Sequence, residues 1–226
     1  MEEKILISIL RLTQEKNRFL MKNLVEETLI SKNLIKKHLQ TFLEKGLLNK
    51  SGKFFTISST QKFMVVVEAL KHGIPIDVLS KYLTWKDFEY TVQNILENLG
   101  YDTLIHQRLK FNGKTYEVDV VAFYGEIVLC IDCKHWKHGF KGKILQHIVE
   151  NHLVKANILL KNIKKIGEKA GKKIVNKPKI LPMIICLTET QPKIFNGVPV
   201  VPILKLKSFL EGFYGYLDQL RILKSG

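Results

Sequence analysis

Cysteine is scarce in this chain, and its pattern excludes a disulfide-stabilised fold. There are three cysteines in 226 residues, and the first residues lack the basic region of a secretory signal. Without an oxidising compartment no disulfide framework is expected, and the cytoplasm is the expected location. Cys130 and Cys133 have C-x-x-C spacing, but residues three apart on a strand point to opposite faces, which argues against a redox or zinc role. We interpret them, and Cys186, as small buried hydrophobes.

Long apolar runs are also missing. No run approaches the length that crosses a bilayer, so the sequence predicts no membrane partner; the strongest run, Ile180 to Leu187, is typical of a buried strand. Hydrophobic residues make up 46% of the chain and charged residues 25%, as in globular proteins. A chain of this length forms one large domain or two modest ones. Walker, dinucleotide-glycine and Ser-His-Asp patterns are absent as well.

Acidic residues are few, and arginine is rarer still. The chain has 21 acids against 32 lysines and four arginines, which gives a formal net charge of +15. Residues 134–179 alone hold thirteen lysines against two glutamates. Such a segment suits a polyanion partner, although a solvated lysine-rich helix face would look the same. Because lysine contacts phosphate as a point charge, the sequence predicts weakly sequence-selective binding.

Charged residues inside two apolar runs are the most informative feature that is present. Residues 116–134 read as two strands around a short turn, and they contain Glu117, Asp119, Asp132 and Lys134 among Val, Ile, Phe and Leu. Carboxylates and an ammonium group in half-buried strands are costly unless they are paired, bind metal or line a cleft. The structural alternative is an exposed ion pair on a solvated strand face. We therefore expect a site here.

The spacing predicts how these charges meet. Alternate residues on a strand share a face, so Glu117 joins Asp119, and Asp132 joins Lys134. A two-residue turn at Tyr124-Gly125 would place residue 119 opposite 130 and 117 opposite 132. Two close carboxylates need a cation between them, and a few oxygen ligands suit Mg²⁺ or Mn²⁺. A lysine beside that ion suits metal-assisted phosphodiester hydrolysis.

Asp119…Asp132-Cys133-Lys134 resembles the core of the PD-(D/E)xK nucleases, the restriction-endonuclease-like superfamily. Within it, the pattern is similar to archaeal Holliday junction resolvases and to restriction endonucleases acting on modified DNA. A leading helix with an acid, residues 88–101, and a closing strand and helix from Val198 extend the resemblance over roughly 84–222. It implies that Asp119 and Asp132 bind metal with the Cys133 carbonyl. Lys134 would be the catalytic lysine.

The resemblance has further implications. Glu89 would be the helix acid, catalytic or a metal ligand, and Gln146 would match an active-site glutamine of some relatives. Val118 stands where the family usually has proline, a departure that concerns strand-end geometry more than chemistry. Cleavage would leave a 5′-phosphate, and the relatives imply a homodimer. Glu117 is interpreted as a supporting or exposed residue.

Residues after the motif are candidates for substrate contact. His135 is interpreted as solvated or phosphate-contacting, since no cysteine pair supports zinc. An aromatic ring directly after it would stack on a base or pack against the next helix. The predicted nucleic-acid-binding residues in this stretch are His135, Trp136, Lys137, Lys141 and Lys143.

The first 57 residues show a separate pattern. Apolar spacing predicts three helices, the third beginning after Ser31 and ending near Gly46. Residues 47–57 read as a hairpin with its turn at Ser51-Gly52. Three helices followed by two strands resemble a winged helix-turn-helix domain, in which the third helix enters the major groove. Dimerisation or protein binding through this module is the alternative. The residues predicted to contact DNA are Lys32, Asn33, Lys36, Lys37, Gln40, Lys50 and Lys53.

The sequence therefore predicts an α/β protein with two closely packed domains. Residues 1–74 form the winged helix-turn-helix domain with a linking helix, and residues 75–226 form a restriction-endonuclease-like mixed sheet flanked by helices. The expected function is Mg²⁺-dependent or Mn²⁺-dependent endonuclease activity on duplex or branched DNA. A non-catalytic DNA-binding protein on a nuclease scaffold and an RNA-processing nuclease remain the alternatives.

Overall fold

A computed structural model describes residues 1–135, 142–171, 177–189 and 191–224, and the chain forms two compact units, residues 1–91 and 92–226. Helix α6, Trp85–Asn98, spans the division between them. The predicted division into domains at residues 74 and 75 stays a prediction. Within the described ranges, no helix combines the length and the apolar character that crossing a membrane requires.

The first unit is mostly helical and carries one small sheet. Strands β1, β3 and β2 pair in that order, all antiparallel. A short 3-10 helix covers Ser80–Tyr82. The elements, in chain order, are α1 (Glu2–Leu12), β1 (Arg18–Leu20), α2 (Met21–Thr28), α3 (Lys32–Glu44), β2 (Asn49–Ser51), β3 (Phe54–Thr56), α4 (Ser59–Lys71) and α5 (Ile76–Leu79).

The three predicted N-terminal helices and the hairpin are present. Helix α3 buries Ile35, Leu39 and Phe42 at helical spacing and ends before Gly46, whose φ of 69° glycine adopts without strain. Ser51 pairs with Phe54, so the hairpin turn lies one residue later than predicted, at residues 52 and 53. The identification of this unit as a winged helix-turn-helix domain stays a prediction.

The start of α6 is fixed by a buried network. Thr84 and Asp87 form a reciprocal cap: each backbone N–H donates to the other side chain, at 3.0 and 3.1 Å. The Asp87 carboxylate also accepts from Ser59 Oγ at 2.7 Å and Lys62 Nζ at 3.3 Å. Lys62 is 2% exposed, so its charge needs this partner. Helices α4 and α6 are thereby joined.

The second unit is built on a seven-stranded sheet in the order β4-β5-β6-β7-β9-β8, with β10 pairing beside β7. The β4-β5-β6 meander is antiparallel, whereas β6, β7 and β9 run parallel. This confirms the predicted mixed sheet flanked by helices. The elements are β4 (Asp102–Phe111), β5 (Lys114–Tyr124), β6 (Ile127–Lys134), α7 (Gly142–Lys169), β7 (Lys179–Cys186), β8 (Ile194–Phe195), β9 (Val198–Pro202), α8 (Leu206–Gly212) and β10 (Leu223–Lys224), with 3-10 helices at Ile203–Lys205 and Phe213–Gln219.

Helix α7 crosses one face of this sheet. Its first half packs Leu145 and Val149 on residues of β7 and β9, and its second half packs Ala156, Leu159 and Ile163 on residues of β4, β5 and β6. The helix ends at Lys169. Because it passes from one group of strands to the other, its middle turns lie over β6.

The turn between β5 and β6 differs from the prediction. Tyr124 pairs with Ile127, so the turn is at Gly125 and Glu126, and Gly125 has the φ of 58° that the bend requires. The predicted register of 119 opposite 130 and 117 opposite 132 is therefore wrong. The ladder ends with Val120 opposite Ile131, and its continuation places Asp119 opposite Asp132. Moving the turn by one residue shifts each partner by two, so the acids still share a face.

Candidate active site

Two buried acids lie on neighbouring central strands. Asp119 in β5 is 8% exposed and Asp132 in β6 is 2% exposed. The backbone N–H of Cys133 donates to Asp119 Oδ2 at 2.7 Å, which ties the β5 acid to the β6 main chain. The sheet thus holds both carboxylates at a fixed register.

Two lysines share the carboxylate of Asp132. Lys134 Nζ lies 2.5 Å from Asp132 Oδ2, and Lys155 Nζ lies 2.8 Å from Asp132 Oδ1. Lys134 comes from the same face of β6, as strand alternation predicts. Lys155 comes from α7. Each carboxylate oxygen therefore has its own ammonium donor, and two negative and two positive charges meet at this point of the sheet.

Sequence reasoning missed Lys155. It is 23 positions from Asp132, and no local pattern joins a helix residue to a strand residue at that separation. A weaker signal was present: His152 and Ala156 lie on the buried face of α7, and Lys155 lies between them at the edge of that face. A lysine at the edge of the buried face of α7 needs a carboxylate partner on the strands that the helix covers.

The electrostatics of Asp132 favour its charged form. Burial alone would raise the pKa of this carboxyl, but its cationic neighbours, which at neutral pH are Lys134 and Lys155, outweigh burial and hold the pKa below its usual value. Burial likewise lowers the pKa of Lys155, and the contact with Asp132 overcomes this so that its pKa is raised. Both partners are thus ionised at neutral pH.

His152 fixes α7 on β6. The residue is 1% exposed, and its Nε2 lies 2.9 Å from the Cys130 carbonyl oxygen. Burial lowers the pKa of His152 more than the neighbouring Asp132 raises it. The ring is therefore neutral at pH 7, with Nε2–H donating to the carbonyl. This bond holds the helix turn that carries Lys155.

The backbone around Asp119 is irregular. On β4, Ile105 pairs with Val120 and Gln107 with Val118, while the intervening His106 has a φ of 52°. A left-handed conformation is uncommon for a histidine and interrupts the ladder opposite Asp119. The ladder between β5 and β6 also ends at Val120, so it does not include Asp119. Regular pairing therefore stops on both sides at the β5 acid.

The structure places Glu89, Glu117 and Gln146 in different surroundings. Glu89 is buried on α6 within the unit of residues 1–91, and the Trp85 indole N–H donates to it. Glu117 is half-buried on β5, and its carboxylate pairs with Arg108 at 3.1 Å. Gln146 is on the exposed side of α7 and donates to Glu150 Oε1 at 2.9 Å. The catalytic roles of Glu89 and Gln146 stay predictions.

Apart from His135, the predicted nucleic-acid contacts that the structure describes are exposed. On α3 and the β2-β3 hairpin these are Lys32, Asn33, Lys36, Lys37, Gln40, Lys50 and Lys53. Near the acid pair, Lys143 is exposed at the start of α7 and His135 is half-buried. Trp136, Lys137 and Lys141 lie outside the described residues.

The donor set fits a small divalent cation. Asp119 and Asp132 offer hard carboxylate oxygens from adjacent strands, the ligand type that Mg²⁺ and Mn²⁺ prefer. Lys134 and Lys155 already bind the oxygens of Asp132. A metal ion would compete with at least one of these ammonium groups. The lysine that the metal ion displaces from Asp132 would then be available to contact an anionic substrate.

Comparison with known proteins agrees with a nuclease assignment. Residues 84–186 match the family described as the nuclease-related domain, NERD. A protein of Archaeoglobus fulgidus described as uncharacterized is 25% identical over 142 residues, which is 62% of this chain and all of that protein.

Two solved structures are also similar. A protein of Vibrio cholerae is 12% identical with a TM-score of 0.35, over 96% of this chain and 50% of that one. The small subunit of the heterodimeric restriction endonuclease R.BspD6I is 13% identical with a TM-score of 0.25, over 59% of this chain and 70% of that subunit. This chain thus spans half the length of the Vibrio protein. The match to the nuclease-related domain family supports a nuclease domain within residues 84–186 of this chain.

Proposed function

We propose that this protein is a divalent-metal-dependent endonuclease that hydrolyses phosphodiester bonds of DNA. The observation that carries the proposal is that Asp119 and Asp132 lie directly beyond the last pair of the β5-β6 ladder, with the Cys133 N–H on Asp119 and a lysine on each oxygen of Asp132. Together with the match to the nuclease-related domain, this arrangement favours phosphoryl chemistry over a solvated ion pair. Both acids are buried, and a solvated face would leave them exposed.

Each residue of the site has a separate proposed role. Asp119 and Asp132, with the Cys133 carbonyl, would hold Mg²⁺ or Mn²⁺, which when bound supplies Lewis-acid stabilisation and a more acidic water. Lys134 positions the water for in-line attack and offsets charge that develops on the phosphate oxygens. The Cys133 N–H keeps Asp119 oriented. By the family resemblance the product carries a 5′-phosphate.

We further propose that the first unit is a winged helix-turn-helix domain that binds DNA. Helix α3 presents Lys32, Lys36 and Lys37 on its exposed side, and Lys50 and Lys53 extend the positive charge onto the β2-β3 hairpin. An exposed helix with three lysines and an adjacent basic hairpin suits phosphate contacts along a groove. Glu89, Gln146 and homodimerisation remain part of this proposal by resemblance.

A cleavage panel tests the enzyme proposal. Duplex, branched and single-stranded DNA and matched RNA are incubated with Mg²⁺ or Mn²⁺, with EDTA as a control. We expect metal-dependent cutting of DNA, which Asp132→Asn abolishes while DNA binding persists. Asp218→Asn, an exposed acid of the same unit, should leave cutting unchanged. If the protein cuts RNA alone, the proposal that DNA is its substrate is refuted. If it cuts no substrate, a non-catalytic DNA-binding protein on a nuclease scaffold is favoured.

A further inference from the structure

A basic groove lies between strand β4 and the second half of α7. Its volume is about 560 Å³. Four cationic side chains line it, Arg108 and Lys110 from the strand and Lys165 and Lys169 from the helix. Arg108 also contacts Glu117 at 3.1 Å. A concave surface with positive charge on both walls is suited to an extended anionic ligand.

The helix wall is strongly positive along its whole length. From residue 155 to 169, α7 carries five lysines and one acid, Glu168. Lys161 is placed at the same side by its contact with the Phe111 ring, 4.9 Å from the centroid. Lysines 161, 165 and 169 recur at every fourth position, which puts them on one stripe of the helix. The charges are therefore aligned along the groove.

Both walls begin beside the acid pair. On α7 the stripe starts one turn and a half beyond Lys155, whose ammonium group contacts Asp132. On β4 the lining residues Leu104 and Gln107 lie on either side of His106, the residue opposite Asp119. At 1.5 Å per residue, Lys155 to Lys169 spans about 21 Å, or roughly six nucleotides at about 3.4 Å per nucleotide of one strand. The groove thus continues from the candidate active site.

We propose that this groove binds the phosphate backbone of the nucleic-acid strand whose scissile bond lies at Asp119 and Asp132. The inference rests on the proposed nuclease function and adds where the substrate strand runs. Lysine-phosphate contacts carry no base information, so the groove holds the strand without sequence preference. The sequence-derived contacts on α3 and after the β6 motif do not include any of these groove residues.

Binding measurements test the groove separately from cleavage. The full chain carries Lys36→Gln and Lys37→Gln in every sample so that α3 does not mask the effect. Fluorescence anisotropy in EDTA then measures the affinity for a fluorescent duplex DNA and for RNA of the same sequence, at several salt concentrations. The test variant is Lys110→Gln with Lys165→Gln and Lys169→Gln, and circular dichroism confirms its helical content. The matched control is Lys164→Gln, an exposed neighbour on α7 that does not line the groove.

We expect the triple variant to lower the slope of log affinity against log salt by about two to three, since each lost phosphate contact removes about one unit. Lys164→Gln should leave the slope unchanged, and Lys165→Gln alone should lower it by about one. An effect on RNA alone would identify RNA as the ligand. Equal slopes for the triple variant and Lys164→Gln would refute the proposal that the groove binds phosphate. A different outcome separates the two proposals: if the wild-type protein cuts no substrate but the triple variant has a lowered slope, the nuclease function is refuted and phosphate binding by the groove is retained.

Discussion

At the scale of single residues, Asp132 is the centre of the candidate site. Its two oxygens bind two different lysines, one from its own strand and one from α7. Two ammonium groups on one carboxylate place positive charge beside the acid pair, where an anionic substrate would bind. We infer that Lys155 serves the substrate or the transition state in addition to balancing charge.

Lys155→Gln tests this role. Loss of the ammonium group should lower kcat/KM for DNA cleavage about a hundredfold, the usual effect of removing one charge-stabilising donor. The comparison is Lys164→Gln at an exposed position of the same helix, which we expect to retain most activity. Steady-state kinetics with a short duplex gives both values. Activity that falls with Lys164→Gln and survives Lys155→Gln would reverse the assignment.

Glu68 provides a pH-dependent contribution in the first unit. Hydrogen bonds from Lys45 and Lys71 lower the pKa of this carboxyl from 4.5 to about 2, against the opposing effect of burial. A lowered folded-state pKa contributes stability above pH 4.5 that is lost as pH falls toward 2. Glu68→Gln should therefore cost about 1 kcal/mol at pH 7, as for an ion pair near the surface. The gap in urea unfolding free energy should narrow as pH falls below 4.5 and close below about pH 2; a constant gap would refute the electrostatic cause.

At the scale of elements, helix packing in the first unit depends on the carboxylate of Asp87. It caps α6 through Thr84 and neutralises Lys62 of α4. Burial raises the pKa of Asp87, but bonds from Ser59 and Thr84 and the charge of Lys62 outweigh this and lower it. The contact between α4 and α6 therefore contains the charged form of Asp87.

Asp87→Asn should destabilise the protein by about 3 kcal/mol or more. The substitution leaves the Lys62 ammonium buried without a counter-charge. An uncompensated buried charge destabilises the folded state strongly. Asp77→Asn, an exposed acid on α5, is the control and should change stability by less than about 0.5 kcal/mol. Chemical denaturation measures both. Equal effects would mean that the buried pair contributes little.

The turn at Gly125 sets the register that brings the acids together. Its φ of 58° is a left-handed conformation that costs other residues about 1–2 kcal/mol, although no atom lies within 4 Å of an added Cβ. Gly125→Ala should therefore lower the unfolding free energy by about this amount. Gly215→Ala, in open space without a positive φ, is the matched control and should cost much less. Thermal unfolding compares them, and equal losses would exclude backbone strain as the cause.

At the scale of the whole molecule, the net charge of +15 favours a polyanionic partner. Affinity for DNA should fall steeply with salt because bound lysines displace counterions. Replacing Lys36 and Lys37 of α3 together by Gln should reduce the slope of log affinity against log salt by about two, and raise KM with little change in kcat. Lys4→Gln with Lys16→Gln removes the same charge from exposed positions elsewhere in the first unit. If both pairs act alike, net charge and not α3 determines binding.

Much of the architecture was determined by local sequence patterns. Apolar runs with charged interruptions predicted β5 and β6, and helical spacing predicted α3, because each pattern reports one element's own buried face. Strand alternation placed Asp119, Asp132 and Lys134 on one face. The excess of lysine, concentrated in residues 134–179, predicted a polyanion partner.

Tertiary structure alone decided which charges meet. The turn at Gly125 shifted the register by two, and the sequence did not distinguish the two turn positions, since both keep the same alternation of faces. Lys155 reaches Asp132 only because α7 crosses β6, and the basic groove exists only because the same helix then packs beside β4. Contacts between elements far apart in the chain depend on packing angles and on crossover paths, which no periodicity within one segment encodes.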